Sequence, residues 1–347
     1  MVTPGEGAIP KYDAIYVLSR AGAVSGGPDA LHRLVHTLRE FGARAFISYV
    51  PLDVSAEVPE TYRRNYRVVA AQPIDAPTNL IVLPEVMAHY VRDFHQARVV
   101  VWWLSVDHFF GCTGRPGQLG WRRFLHDLKS LAGLPGRRAR WGELRGIDHY
   151  SPSAYAATFL RGYCIEAKPL HDPVNAIFMR PRPEATRRDA IAHNPAKDQR
   201  YAAAIRAALP EFEWVELVGM SHEEVAATLG SIKVYLDFGY FPGRERLPAE
   251  AVLSGACLVT GRRGAARFDD DLPIPEYYKI DHRAVDFAVR AREVVLDIFG
   301  NFEERTRDFD RFRVRLREEP DRFRDEALAA FFSPAHDDRR GGSRLSA

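Results

Sequence analysis

Cysteine is scarce in this chain: three in 347 residues, Cys112, Cys164 and Cys257, with no CxxC pair. That excludes a disulfide framework and a zinc ribbon, and it suits a reducing cytoplasm. No apolar run approaches the roughly 18 residues of a membrane span. The opening MVTPGEGAIPKYD lacks the basic-then-apolar layout of a signal peptide. The chain therefore reads as soluble and cytoplasmic. Charge of one sign is missing too. The 48 basic and 46 acidic side chains leave a net charge of +2, so no global nucleic-acid field exists and any basic function must be local. HExxH, GxSxG and Walker signatures are absent, as is any solenoid repeat, so the usual zinc-protease, hydrolase and P-loop chemistries find no motif here.

What is present is an ordinary globular composition, 46% hydrophobic and 27% charged, in a chain comfortable for two domains. The stretch Val234–Thr260, VYLDFGYFPGRERLPAEAVLSGACLVT, organises the rest. Val234–Phe238 is an apolar run that reads as a buried strand. A Gly/Arg loop follows, then a helical segment carrying Glu250, then Gly255, then a second apolar run, Cys257–Thr260. This is a βαβ unit of a parallel sheet. Ligands of such sheets bind outside the carboxyl ends of the strands. Arg244, Glu245, Arg246 and Glu250 fall at that place, where a nucleotide's phosphates and sugar hydroxyls would be held.

Toward the amino terminus, residues 1–12 are a loose lead-in. Ala14–Ser19 is a strand, Ser25-Gly26-Gly27-Pro28 closes a loop, and Leu31, Leu34, Val35 and Leu38 give helical spacing across Asp29–Phe41. A glycine pair between strand and helix lets a ligand approach the helix N–H groups. Strands are expected at Ala45–Val50, Asn79–Pro84 and Arg98–Leu104, and a helix at Glu85–Phe94. Asp107 and His108 follow the last of these strands. Residues 115–145 hold eight basic side chains against Asp127 and Glu143, with Trp121, Phe124, Leu125 and Leu128 interleaved. This is either a solvated surface helix or an amphipathic one resting on anionic lipid.

The segment 171–188, rich in proline, reads as a linker. The α/β pattern then restarts. Asp189–His193 and Phe212–Leu217 are strands, Asn194–Asp198 is a loop, and Gln199–Ala208 is a helix. Ser221 and Glu224 form a capping box. A further helix is expected over Asp281–Phe299, one or two more over Phe302–Phe332, and disorder at 333–347. The domains are thus 1–170, 189–300 and terminal helices at 301–332.

Glu250-Ala251-Val252-Leu253-Ser254-Gly255-Ala256-Cys257-Leu258-Val259 resembles the E-A-M-A-C-G-x-P-V-V signature of GT-B glycosyltransferases of the glycogen-synthase-like, family-four kind. The resemblance implies an α/β fold of two Rossmann-like domains facing across a cleft. It also implies a nucleotide-sugar donor as substrate, with no cofactor and no metal. Glu250 would bind the donor ribose. The family's second glutamate, eight residues upstream, is Pro242 here, which leaves the sugar specificity open. Gly26 and Gly27 match the family's Gly-Gly loop. Ile147–Leu160 matches a strand–helix element of its first domain. The terminal helices would suit the family's crossing back to that domain. Lys197 takes the place of a phosphate-binding lysine, whose usual neighbouring arginine is missing; Arg244, Arg246, Arg262 or Arg263 would substitute. Asp107 and His108 stand where the family keeps a catalytic aspartate or histidine, although an aspartate there could also merely cap a turn.

The implied activity is transfer of a sugar to a glycan or lipid-linked acceptor in polysaccharide biosynthesis, without nucleic acid as a partner. Residues 115–145 would contact the inner face of an anionic membrane. A nucleotide-sugar epimerase of the same shape and a non-catalytic sugar-binding module are the alternatives. Asp269-Asp270-Asp271 resembles a GT-A metal motif but sits in a Pro-rich loop late in the chain.

Overall fold

The computed structural model describes residues 8–52, 56–112, 118–134, 136–180 and 187–334. Parts of the lead-in (1–7), the basic segment (115–117 and 135), the linker (181–186) and the tail (335–347) lie outside the described residues. The chain forms two compact units. One comprises Met1–Leu83, Arg92–Val100 and Phe323–Ala347; the other comprises Pro84–Val91 and Val101–Arg322.

In the first unit, Ala14–Arg20 pairs in parallel with Ala45–Val50 on one side and Asn79–Pro84 on the other. Ile15, Val17, Leu18, Ile47, Ile81 and Val82 are fully buried, as strands covered on both faces require. The helix runs over Gly26–Glu40 and buries Leu31, Leu34, Val35 and Leu38, the stripe read from the spacing. Ile9–Pro10 pairs antiparallel with Phe332–Ser333, so the ordered chain continues into Ser333.

The second unit holds a parallel sheet of β1 (Arg188–His193), β2 (Glu213–Glu216), β3 (Ile232–Asp237), β4 (Cys257–Gly261) and β5 (Lys279–Ile280), in the order β5-β4-β3-β1-β2. The strand order reverses between β1 and β3, which makes their carboxyl ends a topological switch point. Helix α1 (Pro195–Ala208) starts earlier than its apolar spacing suggests. The Asn194 side chain accepts the Ala196 N–H (3.0 Å), and Pro195 suits a first helical position. Lys197 therefore sits in the first turn of a helix and not in a loop. Helix α2 (His222–Ser231) carries the expected capping box of Ser221 and Glu224.

Helix α3 (Arg246–Leu253) is apolar along Leu247, Ala251, Val252 and Leu253, with Pro248 tolerated in its first turn. Gly255, at φ +89°, ends it: Gly255 N–H donates to the Val252 carbonyl and Ala256 N–H to that of Ala251. That pattern needs a left-handed residue, hence glycine. Helix α4 (Phe287–Gly300) begins six residues later than expected, because the Asp281 carboxylate accepts the Arg283 N–H (3.0 Å) and holds 281–286 as a loop. Glu85–Arg92 winds as a 3₁₀ helix where an α-helix was expected, with the Glu85 carboxylate turned inward onto the Leu104 N–H (3.0 Å). Among the described residues no helix is long and apolar enough to cross a membrane.

Candidate functional site

The switch point of the second unit gathers charge from two elements. Lys197, in the first turn of α1, forms an ion pair with Glu245, the residue that precedes α3. Burial works against the ammonium, yet Glu245, Asp237 at the end of β3 and Glu250 in α3 together hold its pKa above the usual lysine value. Glu250 is 6% exposed. His108 lies within electrostatic reach of Glu245 and Lys197, and partial burial of its ring holds its pKa below the ordinary value. Lys197, Glu250 and His108, drawn from three segments of sequence, thus converge on one group of strand ends.

Arg244 and Arg246 are placed differently. Arg244 forms an ion pair with Glu319, which is 1% exposed. Arg246 makes a bidentate pair with Asp172, at 3.0 and 2.8 Å. Both guanidinium groups hold carboxylates in this structure. Gly26 and Gly27 open the helix of the first unit, Gly26 exposed and Gly27 half-buried.

Asp107 is 2% exposed and accepts a hydrogen bond from the Tyr155 hydroxyl (3.0 Å), which in turn meets the Tyr240 hydroxyl (2.8 Å). Burial pushes its pKa up to about 6, against the pull of the two tyrosines. A carboxyl so placed exchanges a proton near neutral pH, as a general base must. The turn-capping alternative has a local basis, since the Cys112 N–H donates to the Asp107 carbonyl (3.0 Å). That bond uses the backbone and leaves the carboxylate to Tyr155.

The loop Tyr240–Gly243 that carries Tyr240 is pinned on both sides. Ser105 and Gly243 form an antiparallel bridge, and the Ser105 hydroxyl donates to the Pro242 carbonyl (3.2 Å). Phe241 bridges Gly264, where φ is +58° and any Cβ would overlap the Phe241 carbonyl. Pro242 therefore supports a backbone junction at the position where the family signature has a glutamate.

Asp107 and Tyr240 line a cavity of about 800 Å³. Its other walls include Arg200 and Tyr201 of α1, Arg262, Arg263 and Arg267 after β4, and His282 and Arg283 after β5. Arg263 lies over both the Tyr201 and Tyr240 rings, 5.3 and 5.6 Å from their centroids. Sequence reasoning singled out Arg262 and Arg263 but missed Arg200, Arg267, Arg283, Tyr155, Tyr201 and Tyr240. Tyr240 stands inside the organising stretch and Tyr155 inside the strand–helix match, so their positions were marked though their partnership was not.

Asp269, Asp270 and Asp271 do not converge. The Asp269 carboxylate accepts from Lys279 (2.6 Å), and that of Asp271 accepts the Ala154 and Tyr155 N–H groups (2.7 and 2.9 Å). Among the described residues no group of three or more histidine, cysteine or acidic side chains could hold a metal ion.

No family model matches the chain, and neither does any curated protein sequence. Solved structures do. Sucrose-phosphate synthase from Thermosynechococcus elongatus aligns with a TM-score of 0.62 at 12% identity, over 92% of this chain and 97% of its own. HepE from Anabaena, solved with UDP-glucose, aligns with a TM-score of 0.55 at 11% identity, over 92% and 100%. The catalytic domain of starch synthase IV from Arabidopsis thaliana, solved with ADP and acarbose, gives 0.52 at 10%, over 92% and 100%. At these identities the likeness speaks for the fold, and the fold of this chain is that of the GT-B glycosyltransferases.

Proposed function

We propose that this protein transfers a sugar from a nucleotide-sugar donor to a glycan or lipid-linked acceptor, as a step in polysaccharide biosynthesis. The observation that carries this reading is the convergence of Lys197, Glu250 and His108 at the switch point of the second sheet. Structures of this fold have been solved with ligands of the right class, UDP-glucose and ADP. In this reading Glu250 accepts hydrogen bonds from the ribose hydroxyls. Lys197 exchanges Glu245 for the donor pyrophosphate, and Arg244 and Arg246 reach a phosphate only by releasing Glu319 and Asp172. Gly26 and Gly27 open the helix of the first unit, whose first N–H groups are of the kind that take an anion.

Asp107 is the group that takes the acceptor's proton. As the acceptor oxygen bonds to the anomeric carbon, its proton passes to Asp107. The bond from that carbon to the diphosphate breaks, and its electron pair leaves with the nucleoside diphosphate. Cationic side chains compensate the growing charge, so the reaction needs neither metal nor cofactor and proceeds in EDTA.

Incubation with a panel of nucleotide sugars and glycan acceptors tests the reading. Acceptor-dependent release of nucleoside diphosphate is expected. Conversion of the donor to another sugar without acceptor would make the protein an epimerase, and binding without turnover would make it a binding module.

A cytoplasmic position at the inner face of a membrane fits the helix Gln118–Leu131. Trp121, Phe124, Leu128 and Leu131 share one of its faces at exposures of 63, 56, 54 and 88%, flanked by Arg122, Arg123 and Lys129. Such a face suits an anionic bilayer. Co-sedimentation with vesicles should rise with anionic lipid and fall with salt; indifference to both would remove this contact.

A further inference from the structure

We infer that the arginine-lined cavity receives an anionic saccharide, a sugar bearing a phosphate or a carboxylate, and that this is the acceptor substrate. The inference rests on the proposed transfer reaction for the word acceptor, and on the cavity itself for the charge.

Among the described residues five arginines line the cavity, and Asp107 is the one carboxylate that does. Arg262 is already engaged, through an ion pair with Glu276 and a hydrogen bond to the Lys279 carbonyl (2.9 Å). Arg263 donates to the Phe238 carbonyl (3.2 Å) and rests on two aromatic faces. Arg200, Arg267 and Arg283 are exposed, and no carboxylate among the described residues forms an ion pair with them. Three like charges around one concavity repel one another unless an anion joins them. Guanidinium forks are the side chains best shaped to take a phosphate or carboxylate with two hydrogen bonds.

The cavity adjoins the place assigned to the donor, since Arg200 and Tyr201 stand one turn beyond Lys197 in α1, but neither Lys197 nor Glu250 lines it. Lys197 and Glu250 follow β1 and β3, at the switch point; Arg267 and Arg283 follow β4 and β5, further along the sheet. At about 800 Å³ the space is far larger than a lone phosphate and within the range of sites for molecules of sugar size. Tyr201 and Tyr240 also line the space, each with Arg263 over its ring. The chain Arg263–Tyr240–Tyr155–Asp107 then connects the cationic wall to the candidate base through contacts of 5.6, 2.8 and 3.0 Å. A ligand with its anion on the arginines would have a hydroxyl to offer Asp107.

Calorimetric titration of the full-length protein with glucose 6-phosphate, glucuronate, glucose and inorganic phosphate, each with and without saturating UDP, tests this. Glucose 6-phosphate or glucuronate should bind at least tenfold more tightly than glucose, and should do so with UDP already bound. Whichever of the two binds identifies the anion as phosphate or carboxylate. The double variant R267Q/R283Q, changed at two exposed positions without an ion pair among the described residues, should weaken that binding at least tenfold and leave UDP affinity unchanged. The inference is overturned if neither sugar acid binds, or if UDP displaces it one for one. It is overturned as well if inorganic phosphate binds as tightly, or if the double variant binds as the native protein does. Failure of UDP and ADP alike to bind would count against the nucleotide-sugar reading while leaving the sugar-acid arm to be read by itself.

Discussion

Two cationic regions of the second unit differ in one respect. Around the switch point each arginine or lysine that sequence reasoning selected has a carboxylate of its own: Lys197 with Glu245, Arg244 with Glu319, Arg246 with Asp172. Around the cavity, Arg200, Arg267 and Arg283 have none among the described residues. The first set is charge-compensated within the protein, so a donor phosphate reaches it only by displacing a carboxylate. On the inference drawn above, the second takes its counter-charge from a ligand. Counting arginines near strand ends does not separate the two, because partners such as Glu319 and Asp172 are about 75 residues distant in sequence.

The largest effect that could break this contrast is on stability. Arg244→Ala would leave Glu319 buried and unpaired, which costs about 3–5 kcal/mol for a broken buried pair. Denaturant unfolding should show that loss; a change under about 1 kcal/mol would mean that the pair is not structural.

Asp107→Asn comes next. Turnover should fall about a hundredfold or more while nucleoside diphosphate binding persists, the signature of a lost base. With its pKa raised to about 6, native turnover should drop about tenfold per unit as pH falls below that point. The same carboxyl stabilises the fold most below the ordinary aspartate pKa, and that contribution is lost as pH rises through about 6. Asp107→Asn should therefore abolish both pH dependences. Native-like turnover in the variant would move the base elsewhere.

Glu250→Ala sharpens the donor side of the comparison. A charge-assisted hydrogen bond is worth roughly 1.5–3 kcal/mol, so nucleoside diphosphate affinity should fall about tenfold or more. Equal affinity in a folded variant would take the ribose away from Glu250.

The smallest expected change is Arg283→Gln. An exposed arginine without an ion pair should alter unfolding free energy by no more than about 0.5 kcal/mol. A loss comparable to that of Arg244→Ala would show that the cavity arginines are structural after all.

Much of the architecture was legible in the sequence because it rests on local rules. Apolar runs marked the strands at Ala45–Val50, Asn79–Pro84 and Cys257–Gly261, and a glycine after an apolar helix marked the end at Gly255. The capping box at Ser221 was likewise a matter of spacing alone. Boundaries failed where one polar side chain decided them. Asn194 drew α1 back to include Lys197, and Asp281 delayed α4 to Phe287.

The sequence by itself determined the βαβ unit around Glu250 and the strand-end address of Lys197, since periodicity and chain order settle which residues follow which strand. Only the tertiary structure decided which charges meet. Ion pairing depends on distances of a few ångströms between segments far apart in the chain, and no spacing rule encodes them. So Tyr155 found Asp107 and Tyr240, Arg244 found Glu319, and Arg267 and Arg283 were left facing a cavity together.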